Sequence, residues 1–205
     1  MSHPIKTAGI ILAGGSSTRF GRPKQLLELR GKYLIEHVLE AALLSELNHV
    51  VLVLGNAHQD ILQALGNRVS HKRLQIVINH RYLDGQSRSV RAGLSEIRQL
   101  YSAVMFLLGD QPILDSSTIN YLLDKFHSSA KDICVPTHKG RRGNPVIFGC
   151  ALYDQLMAIK GDIGARDIIR NNLERVLFIE LENPLCFFDI DSPQDFEILQ
   201  SRLDS

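Results

Sequence analysis

A glycine-rich loop near the amino terminus carries the residue types that bind a polyphosphate. An apolar run at residues 8–13 leads into glycines at 14, 15 and 21 and into two cations, Arg19 and Lys24. Glycine lets backbone N–H groups converge on an anion because no Cβ blocks the approach. A cation after such a loop pairs with phosphate oxygens. The loop therefore predicts a phosphate cradle; a plain strand–helix turn with solvated charges is the alternative.

Two common phosphate-binding loops do not match this stretch. A P-loop has four residues between its first glycine and a Gly-Lys-Ser/Thr, whereas five residues separate Gly15 from Gly21 and Arg22 follows. The dinucleotide fingerprint G-x-G-x-x-G fails because Gly14 and Gly15 are adjacent and Ser17 stands where the third glycine belongs. These mismatches disfavour a P-loop NTPase and a nicotinamide-dependent oxidoreductase.

Two further stretches follow predicted strands and suit a nucleotide and its metal. Gly85, Ser87 and Ser89 open a helix, where free N–H groups suit an anion or a ribose. Ser87 or Asp84 could instead simply cap that helix. Asp110, in Gly-Asp-Gln-Pro, directly follows an apolar strand, and a carboxylate there suits Mg²⁺ beside phosphate oxygens. A β-turn is the alternative for Asp110, because Gly, Asp and Pro all favour turns.

Further candidate stretches lie in the carboxyl-terminal half. Two of them combine glycine with arginine: Arg142, Gly143, Asn144 and Pro145 form the first, and Arg166 ends the second, Gly-Asp-Ile-Gly-Ala-Arg. Each suits a second phosphate-bearing substrate, and the alternative is a solvated turn. A further stretch carries two carboxylates: residues 186–190 are predicted as a strand, and strand alternation puts Asp189 and Asp191 on one face. Asp189 ranks slightly ahead as a second metal ligand, since Asp191 could be a helix-capping acid.

The composition limits the classes of function. The chain has 205 residues, 44% of them hydrophobic, which suits a single globular domain. A formal net charge of +1 gives no electrostatic case for a nucleic-acid partner. No apolar run is long enough to span a membrane, and three scattered cysteines suit a cytoplasmic protein. The eight histidines lack zinc-site spacing.

Strand and helix patterns alternate along the first part of the chain. Apolar runs predict strands at 8–13, 50–54, 74–78 and 103–108, and amphipathic stretches between and after them predict helices up to residue 127. This alternation predicts an α/β fold with a mostly parallel sheet and helices on both faces. The remainder is less regular, with short strands predicted at 133–135, 145–148, 176–179 and 186–190. Ser192 and Pro193 predict the start of a final helix.

Taken together, these motifs resemble the molybdenum cofactor nucleotidyltransferases of the MobA-like superfamily, and more closely their cytidylyltransferase branch. The matching residues run in family order from 8 to 195, so the resemblance covers nearly the whole chain. The glycine loop and Gly-Asp-Gln-Pro mark the superfamily, whereas Arg-Gly-Asn-Pro and Gly-Asp-x-Gly-Ala-Arg mark the branch. The resemblance implies a Rossmann-like three-layer sandwich of the nucleotide-diphospho-sugar transferase type. Residues 1–127 would bind the NTP, and residues 128–205 would bind the acceptor and complete the metal site.

The resemblance also implies a reaction: CMP passes from CTP to the phosphate of molybdopterin, and pyrophosphate leaves. Mg²⁺ is the implied cofactor, with Mn²⁺ as an alternative, and a molybdenum hydroxylase is the implied recipient of the product. The enzyme is expected to be a monomer or a weak oligomer. Implied catalytic residues are Arg19, Lys24 and Asp110, and implied metal ligands are Asp110, Asp189 and Asp191. Implied nucleotide contacts are Leu12, Ala13, Gly14, Gly15, Ser16, Ser17, Gly85, Ser87 and Ser89; implied acceptor contacts are Arg142, Gly143, Asn144, Pro145 and Arg166.

One position departs from the cytidylyltransferase pattern. That branch usually has Leu-Ala-Ala-Gly at the start of the loop, whereas this chain has Gly14 in Leu-Ala-Gly-Gly, as the guanylyltransferase branch does. Transfer of another nucleotide, or transfer to another phosphate acceptor, therefore stays open. So does a non-catalytic chaperone that only carries the cofactor.

Overall fold

The computed structural model describes residues 5–15, 20–161 and 165–203. Among these residues the strands are β1 (Thr7–Ala13), β2 (Glu28–Leu29), β3 (Lys32–Tyr33), β4 (His49–Leu54), β5 (Leu74–Ile78), β6 (Ala103–Leu108), β7 (Ile133–His138), β8 (Arg141–Arg142), β9 (Val146–Gly149) and β10 (Val176–Glu180). The helices are α1 (Leu34–Leu44), α2 (His58–Leu65), α3 (Gln86–Ile97), α4 (Ser116–His127), α5 (Tyr153–Ala158), α6 (Arg166–Asn171) and α7 (Pro193–Leu203).

An eight-stranded sheet forms the centre of the fold. Its order is β10-β7-β9-β6-β1-β4-β5, and β8 pairs with β7. The four strands predicted in the amino-terminal half are β1, β4, β5 and β6. Wherever two of them are paired they run parallel, and β10 is parallel to β7. Only β8 and β9 run antiparallel within this sheet as described. The predicted, mostly parallel sheet is therefore confirmed.

The helices pack on both faces of the sheet, as predicted. Alternation along β1 sends Ile11 to one face and Ile10 to the other. Helices α1, α2 and α4 pack on the Ile11 face, and α3, α5 and α6 pack on the Ile10 face. No helix among the described residues is long and apolar enough to cross a bilayer. The result is a three-layer α/β fold with an apolar core on each side of the sheet.

The strand order reverses at β1. Strands β4 and β5 follow on one side of β1, and β6 then pairs with the other side of β1. In an open α/β sheet, a crevice forms outside the carboxyl ends of the strands at such a switch point. The glycine-rich loop leaves β1 at this edge and Asp110 follows β6 there, with Gly109 N–H donating to the Leu12 carbonyl at 3.0 Å. The topology thus brings two predicted motifs to one place.

The strand predicted at residues 186–190 is wrong. Residues Pro184–Phe187 form a 3₁₀ turn that begins at the Asn183 cap, where the Asn183 side chain accepts from Leu185 N–H. The following residues pair with no described strand, because a small third apolar cluster holds them. In it Ile190 packs with Leu27, which directly precedes β2, with Leu34 at the start of α1 and with Leu199 of α7. Burial of Ile190 against this cluster therefore decides the local backbone, rather than strand pairing.

The final helix begins as the sequence predicts. The Ser192 hydroxyl donates to the Asp195 carboxylate at 2.6 Å, and Asp195 N–H donates back to Ser192 Oγ at 3.2 Å. This reciprocal pair satisfies the Asp195 N–H, one of the first-turn N–H groups that have no partner inside the helix. The cap fixes where α7 starts and therefore where Asp191, directly before the cap, is held.

Candidate active site

Two adjacent clefts open at the carboxyl edge of the sheet, and they share a wall of Leu12, Gln86 and Leu108. The first, called here the glycine cleft, is ≈ 390 Å³ in volume and is also lined by Gly14, Gly15, Lys24, Gln25, Tyr82, Leu83, Gly85, Ser89, Gly109 and Asp110. The second, called here the arginine cleft, is ≈ 360 Å³ and is also lined by Val90, Phe106, Gln111, Val135, Arg142, Gly143, Asn144, Val146, Phe148, Ala165, Arg166, Ile169, Phe187 and Asp189.

Lys24 lines the glycine cleft and forms hydrogen bonds with residues from two distant parts of the chain. Its Nζ donates to Asp110 Oδ2 at 2.5 Å, to the Ile190 carbonyl at 2.9 Å and to Asp191 Oδ1 at 3.0 Å. A 3₁₀ turn, Lys24–Leu26, starts at Pro23 and fixes the lysine backbone, with Leu26 N–H donating to the Pro23 carbonyl. Burial acts to lower the pKa of Lys24, but the charge and hydrogen bond of Asp110 and those of Asp191 outweigh it and raise the pKa. Lys24 is therefore a fixed ammonium group.

The two carboxylate oxygens of Asp110 differ in their partners among the described residues. The side chain is 16% exposed, and Oδ2 is taken by Lys24. Oδ1 is buried and has no hydrogen-bond partner among the described residues. An unpaired carboxylate oxygen in such a place is costly unless a donor or a cation meets it, so this atom marks a point where an additional ligand would be favourable.

Asp189 lies beside Asp110 in a different environment. Its Oδ1 accepts from Gln111 Nε2 at 2.7 Å. Burial and the negative charge of Asp110 raise the pKa of Asp189 to about 6, although the Gln111 hydrogen bond opposes the rise. Asp191, by contrast, has a side chain 59% exposed and pairs with Lys24. The three carboxylates thus converge on one corner without the predicted strand, and Asp189 is the one held against Asp110.

The glycine cleft is built by close backbone approach. A Cβ on Gly14 would lie 2.9 Å from Ser89 Oγ, and one on Gly55 would lie 2.4 Å from the Gly14 carbonyl oxygen. Asn79 Nδ2 donates to Ser89 Oγ at 3.0 Å and holds that hydroxyl in place. Gly14 is therefore needed for packing between the β1 loop and α3, whatever it does for a ligand.

Neither predicted cap forms at the start of α3. The cap position is Gly85 at φ +99°, in the region that favours glycine, and no side chain caps the helix there. Asp84 instead pairs with Arg81 at 2.7 Å and Arg88 at 3.4 Å. Ser87 is buried, its N–H donates to the Gly161 carbonyl, and it lines neither cleft. The capping alternative is wrong, since backbone carbonyls take these N–H groups: Ser87 N–H donates to Gly161 and Arg88 N–H donates to Gly85.

The arginine cleft has an apolar floor and a polar rim. Gly143 brings the backbone against the Phe187 ring so closely that a Cβ there would lie 1.6 Å from a ring carbon. The Phe187 ring in turn stacks on His138 with centroids 6.3 Å apart. Arg142 and Arg166 lie at the ends of separate elements, β8 and α6, yet both line this cleft. The structure therefore brings together two arginine motifs that are over twenty residues apart in sequence.

Several predicted site residues lie elsewhere. Ser16, Ser17 and Arg19 fall outside the described residues. Ala13 is buried and its carbonyl accepts from Gln25 Nε2 at 3.2 Å, and neither Ala13, Pro145 nor Asp191 lines a cleft. The remaining predicted contacts, Leu12, Gly14, Gly15, Gly85, Ser89, Arg142, Gly143, Asn144 and Arg166, all do.

Several cleft residues have no role in the sequence prediction. Among them, Gln25 lines the glycine cleft, Gln86 belongs to the shared wall, and Gln111 and Phe187 line the arginine cleft. Gln111 stands in the Gly-Asp-Gln-Pro motif and Gln25 follows Lys24, so position next to a motif was a usable signal for both. Phe187 gives no such signal, because its place depends on the 3₁₀ turn that replaced a predicted strand.

Comparison with known proteins gives matches over most of the chain. The family model described as the MobA-like NTP transferase domain matches residues 9–176. A nicotine blue oxidoreductase of Paenarthrobacter nicotinovorans is 31% identical over 90% of this chain and 91% of its own. A probable molybdenum cofactor guanylyltransferase of Thermococcus sibiricus is 30% identical over 95% and 98%.

Solved structures share the fold. Rv0371c from Mycobacterium tuberculosis H37Rv superposes with a TM-score of 0.83 at 23% identity, covering 96% of this chain and 98% of its own. A manganese complex of the same protein gives a TM-score of 0.77 at 24% identity, with the same coverage. At these identities the likeness supports the three-layer fold and nothing finer.

Proposed function

We propose, from the premise that this chain belongs to the MobA-like NTP transferase family, that it transfers the CMP group of CTP to the terminal phosphate of molybdopterin and releases pyrophosphate. In this proposal the glycine cleft holds the nucleotide and the arginine cleft holds the pterin. The two clefts share one wall, so their ligands would meet beside Lys24 and Asp110. Residues 1–127 then form the NTP half, and residues 128–205 the acceptor half.

The observation that carries the proposal is the position of Lys24. Its ammonium group is fixed between Asp110 and Asp191. It lines the glycine cleft and is close enough to Asp189 of the arginine cleft for its charge to act on the pKa of Asp189, so it lies near the junction of the two clefts. The pterin phosphate is already an anion when it attacks the α-phosphate, so the reaction needs no strong general base. Its barrier comes from charge repulsion and alignment, which fixed charges and positioned groups lower. A lysine that stays protonated at this junction suits that task.

The groups around the glycine cleft divide the remaining work. Backbone N–H groups at Gly14 and Gly15 would hold phosphate oxygens, and Lys24 would neutralise charge on the α-phosphate. Arg19, which lies outside the described residues, is proposed to neutralise the leaving pyrophosphate. Gly85 and Ser89 would contact the nucleotide; Ser87, whose side chain lines neither cleft, is retained only as a support for the start of α3.

A divalent metal ion fits the carboxylates beside Lys24. Asp110 Oδ1 is buried without a hydrogen-bond partner among the described residues, and Asp189 is close enough for the charge of Asp110 to raise its pKa. Asp110 and Asp189 would therefore hold Mg²⁺ or Mn²⁺, and Asp191 would stay with Lys24. When bound, the ion supplies positive charge to phosphate oxygens. Within the described ranges no three acidic, histidine or cysteine side chains form a ready metal group, which suits an ion held partly by substrate and water.

The choice of base needs its own test. The Arg-Gly-Asn-Pro and Gly-Asp-x-Gly-Ala-Arg motifs support CTP, and Arg142 and Arg166 of those motifs line one cleft. GTP is the main competitor, since three similar proteins are named as probable molybdenum cofactor guanylyltransferases. Gly14 is weak evidence for GTP, because its contact with Ser89 gives it a packing reason to be glycine.

A nucleotide panel tests the proposal. Purified protein is incubated with molybdopterin, Mg²⁺ and each of CTP, GTP, ATP and UTP, and pyrophosphate and the dinucleotide product are measured. We expect release with CTP that is abolished in Lys24→Met, a variant that keeps the length of the side chain. Faster turnover with GTP would mean that the enzyme prefers guanine to cytosine, and the proposed type of reaction would stand. Tight pterin binding with no pyrophosphate from any nucleotide would leave a chaperone, delivering the cofactor to a molybdenum hydroxylase.

One similar protein is named as an oxidoreductase, so a second experiment tests for binding of a nicotinamide cofactor. Titration with NADH and NADPH, followed by cofactor fluorescence, measures binding directly. The failed dinucleotide fingerprint at Gly14 and Gly15 leads us to expect no saturable binding. Saturable binding at micromolar concentration would favour a redox role for this chain.

A further inference from the structure

We propose that Phe178, an aromatic residue outside the arginine cleft, positions Arg142 for the phosphate of the acceptor. The guanidinium carbon of Arg142 lies 5.3 Å from the centroid of the Phe178 ring, which is cation–π distance. This inference rests on the proposed function, because Arg142 is there an acceptor contact. Phe178 itself lines neither cleft and is therefore a positioning residue.

The sheet register places Phe178 on the same face of the sheet as the arginine cleft. Phe178 on β10 is paired with Val135 on β7, and Val135 lines the arginine cleft. Paired residues of neighbouring strands point to the same face of a sheet, so the Phe178 ring stands on the cleft side. Arg142 on β8 is paired with Thr137, two residues further along β7. A long side chain at that position reaches diagonally across β7 to the ring.

No described carboxylate holds Arg142 in an ion pair. Glu180 is the acid nearest in register, since it is paired with Thr137, but its two oxygens accept from Thr137 Oγ1 at 2.7 Å and from Lys139 N–H at 2.5 Å. The guanidinium group thus keeps its charge and its fork of donors for an anion. A flat ring under the guanidinium group restricts the rotamers of a flexible side chain without using a donor.

Phe178 contributes little to the apolar core. Its side chain is 44% exposed at the sheet edge strand β10, and it is absent from the buried members of each apolar cluster. Removing the ring should therefore cost little stability. The chain also contains a matched pair elsewhere: on α4, Lys125 Nζ lies 5.3 Å from the Tyr121 ring centroid, and Tyr121 is likewise 44% exposed.

A double-mutant cycle on the full chain tests the proposal. The dissociation constant of molybdopterin is measured by pterin fluorescence, which the protein leaves clear because it has no tryptophan, and the KM for CTP is measured separately. We expect Phe178→Leu to weaken pterin binding about two- to fivefold, the range for an exposed cation–π contact, with the KM for CTP unchanged. Phe178→Tyr should restore binding, and the control Tyr121→Leu should change neither constant.

The cycle with Arg142→Ala separates positioning from structure. If the ring acts through Arg142, Phe178→Leu has no further effect on pterin binding in the Arg142→Ala background. Equal weakening in both backgrounds, or a rise in the KM for CTP of the same size, overturns the proposal. Wild-type protein that binds no molybdopterin also overturns it. Wild-type protein that binds molybdopterin but releases no pyrophosphate refutes the proposed transfer alone, and the binding cycle still decides the role of Phe178.

Discussion

The glycine cleft and the arginine cleft share a wall, yet they are held in shape by different forces. In the glycine cleft, oppositely charged groups pair at 2.5 and 3.0 Å around Lys24, and backbone touches backbone at Gly14 and Gly55. In the arginine cleft, rings do the positioning: Phe187 lies on Gly143 and Phe178 lies under Arg142.

This difference teaches what each cleft can do. Paired charges and close backbone leave little freedom, which suits groups that must be in place at the transition state. Stacked rings are less directional, which suits the binding of a flat substrate before reaction. Substitutions in the glycine cleft should therefore lower kcat, whereas those in the arginine cleft should raise the KM for the acceptor.

The largest expected effect tests the first half of this contrast. Lys24→Met should lower kcat by roughly a hundredfold to a thousandfold, because loss of one oriented charge contact to the transition state costs about 3–4 kcal/mol. Steady-state pyrophosphate release measures it. Arg68→Met, which removes a cation paired with Glu36 away from both clefts, is the control and should stay near wild type. Near-normal turnover of Lys24→Met would remove that residue from the chemistry.

Asp189→Asn tests the corner where the clefts meet. Burial and Asp110 raise the pKa of Asp189 to about 6 in the folded protein, so between about pH 4 and pH 6 the folded state binds more protons than the unfolded state. Stability contributed at this site therefore falls as pH rises through that range. The asparagine variant should be more stable than wild type by about 3 kcal/mol at pH 8, and equal to it below pH 4.

Urea unfolding at pH 4 and pH 8 measures this difference, and Asp191→Asn serves as the exposed comparison. The same Asp189→Asn variant should also lose the stabilisation that added Mg²⁺ or Mn²⁺ gives the wild type. A gain of stability at pH 8 with an unchanged metal response would support a destabilising buried charge at Asp189 but contradict its role as a metal ligand.

Gly143→Ala tests the second half of the contrast. An added Cβ would meet the Phe187 ring at 1.6 Å, so the ring must move out of the cleft wall. We expect the KM for molybdopterin to rise about tenfold, equivalent to about 1.4 kcal/mol, while the KM for CTP stays the same. Phe187→Ala should remove the clash and add little further loss when combined with Gly143→Ala. A rise in the KM for CTP instead would place Gly143 in the nucleotide site.

The smallest effect compares two neighbouring glycines. An alanine Cβ at position 14 would crowd Ser89 Oγ at 2.9 Å, whereas one at position 15 would meet no atom of the described residues within 4 Å. Gly14→Ala should therefore lower the free energy of unfolding by about 1 kcal/mol, a modest overpacking cost, and Gly15→Ala should not lower it. Thermal unfolding of both variants measures this. Equal effects would mean that Gly14 is not explained by packing against Ser89.

Particular residues separate what was predictable from what was not. The strands at β1, β4, β5 and β6 were predicted nearly to the residue, since continuous apolar runs with glycine at their ends indicate buried parallel strands. The helix starting at Ser192 and Pro193 was predicted from its cap. The hairpin β2–β3 and the short helices α5 and α6 were missed, because two-residue strands and six-residue helices give too few periods to detect. The antiparallel direction of β9 also depends on contacts distant in sequence.

The sequence by itself determined the order of the motifs, the three-layer fold and the grouping of glycines and cations on one loop, because these follow from local periodicity and residue type. Only the tertiary structure decided which carboxylate each charge meets. Asp189 and Asp191 are two residues apart, yet one is held by Gln111 against Asp110 and the other by Lys24. Burial of Ile190 in the third apolar cluster turns the backbone there, and no pattern within residues 186–191 encodes that contact.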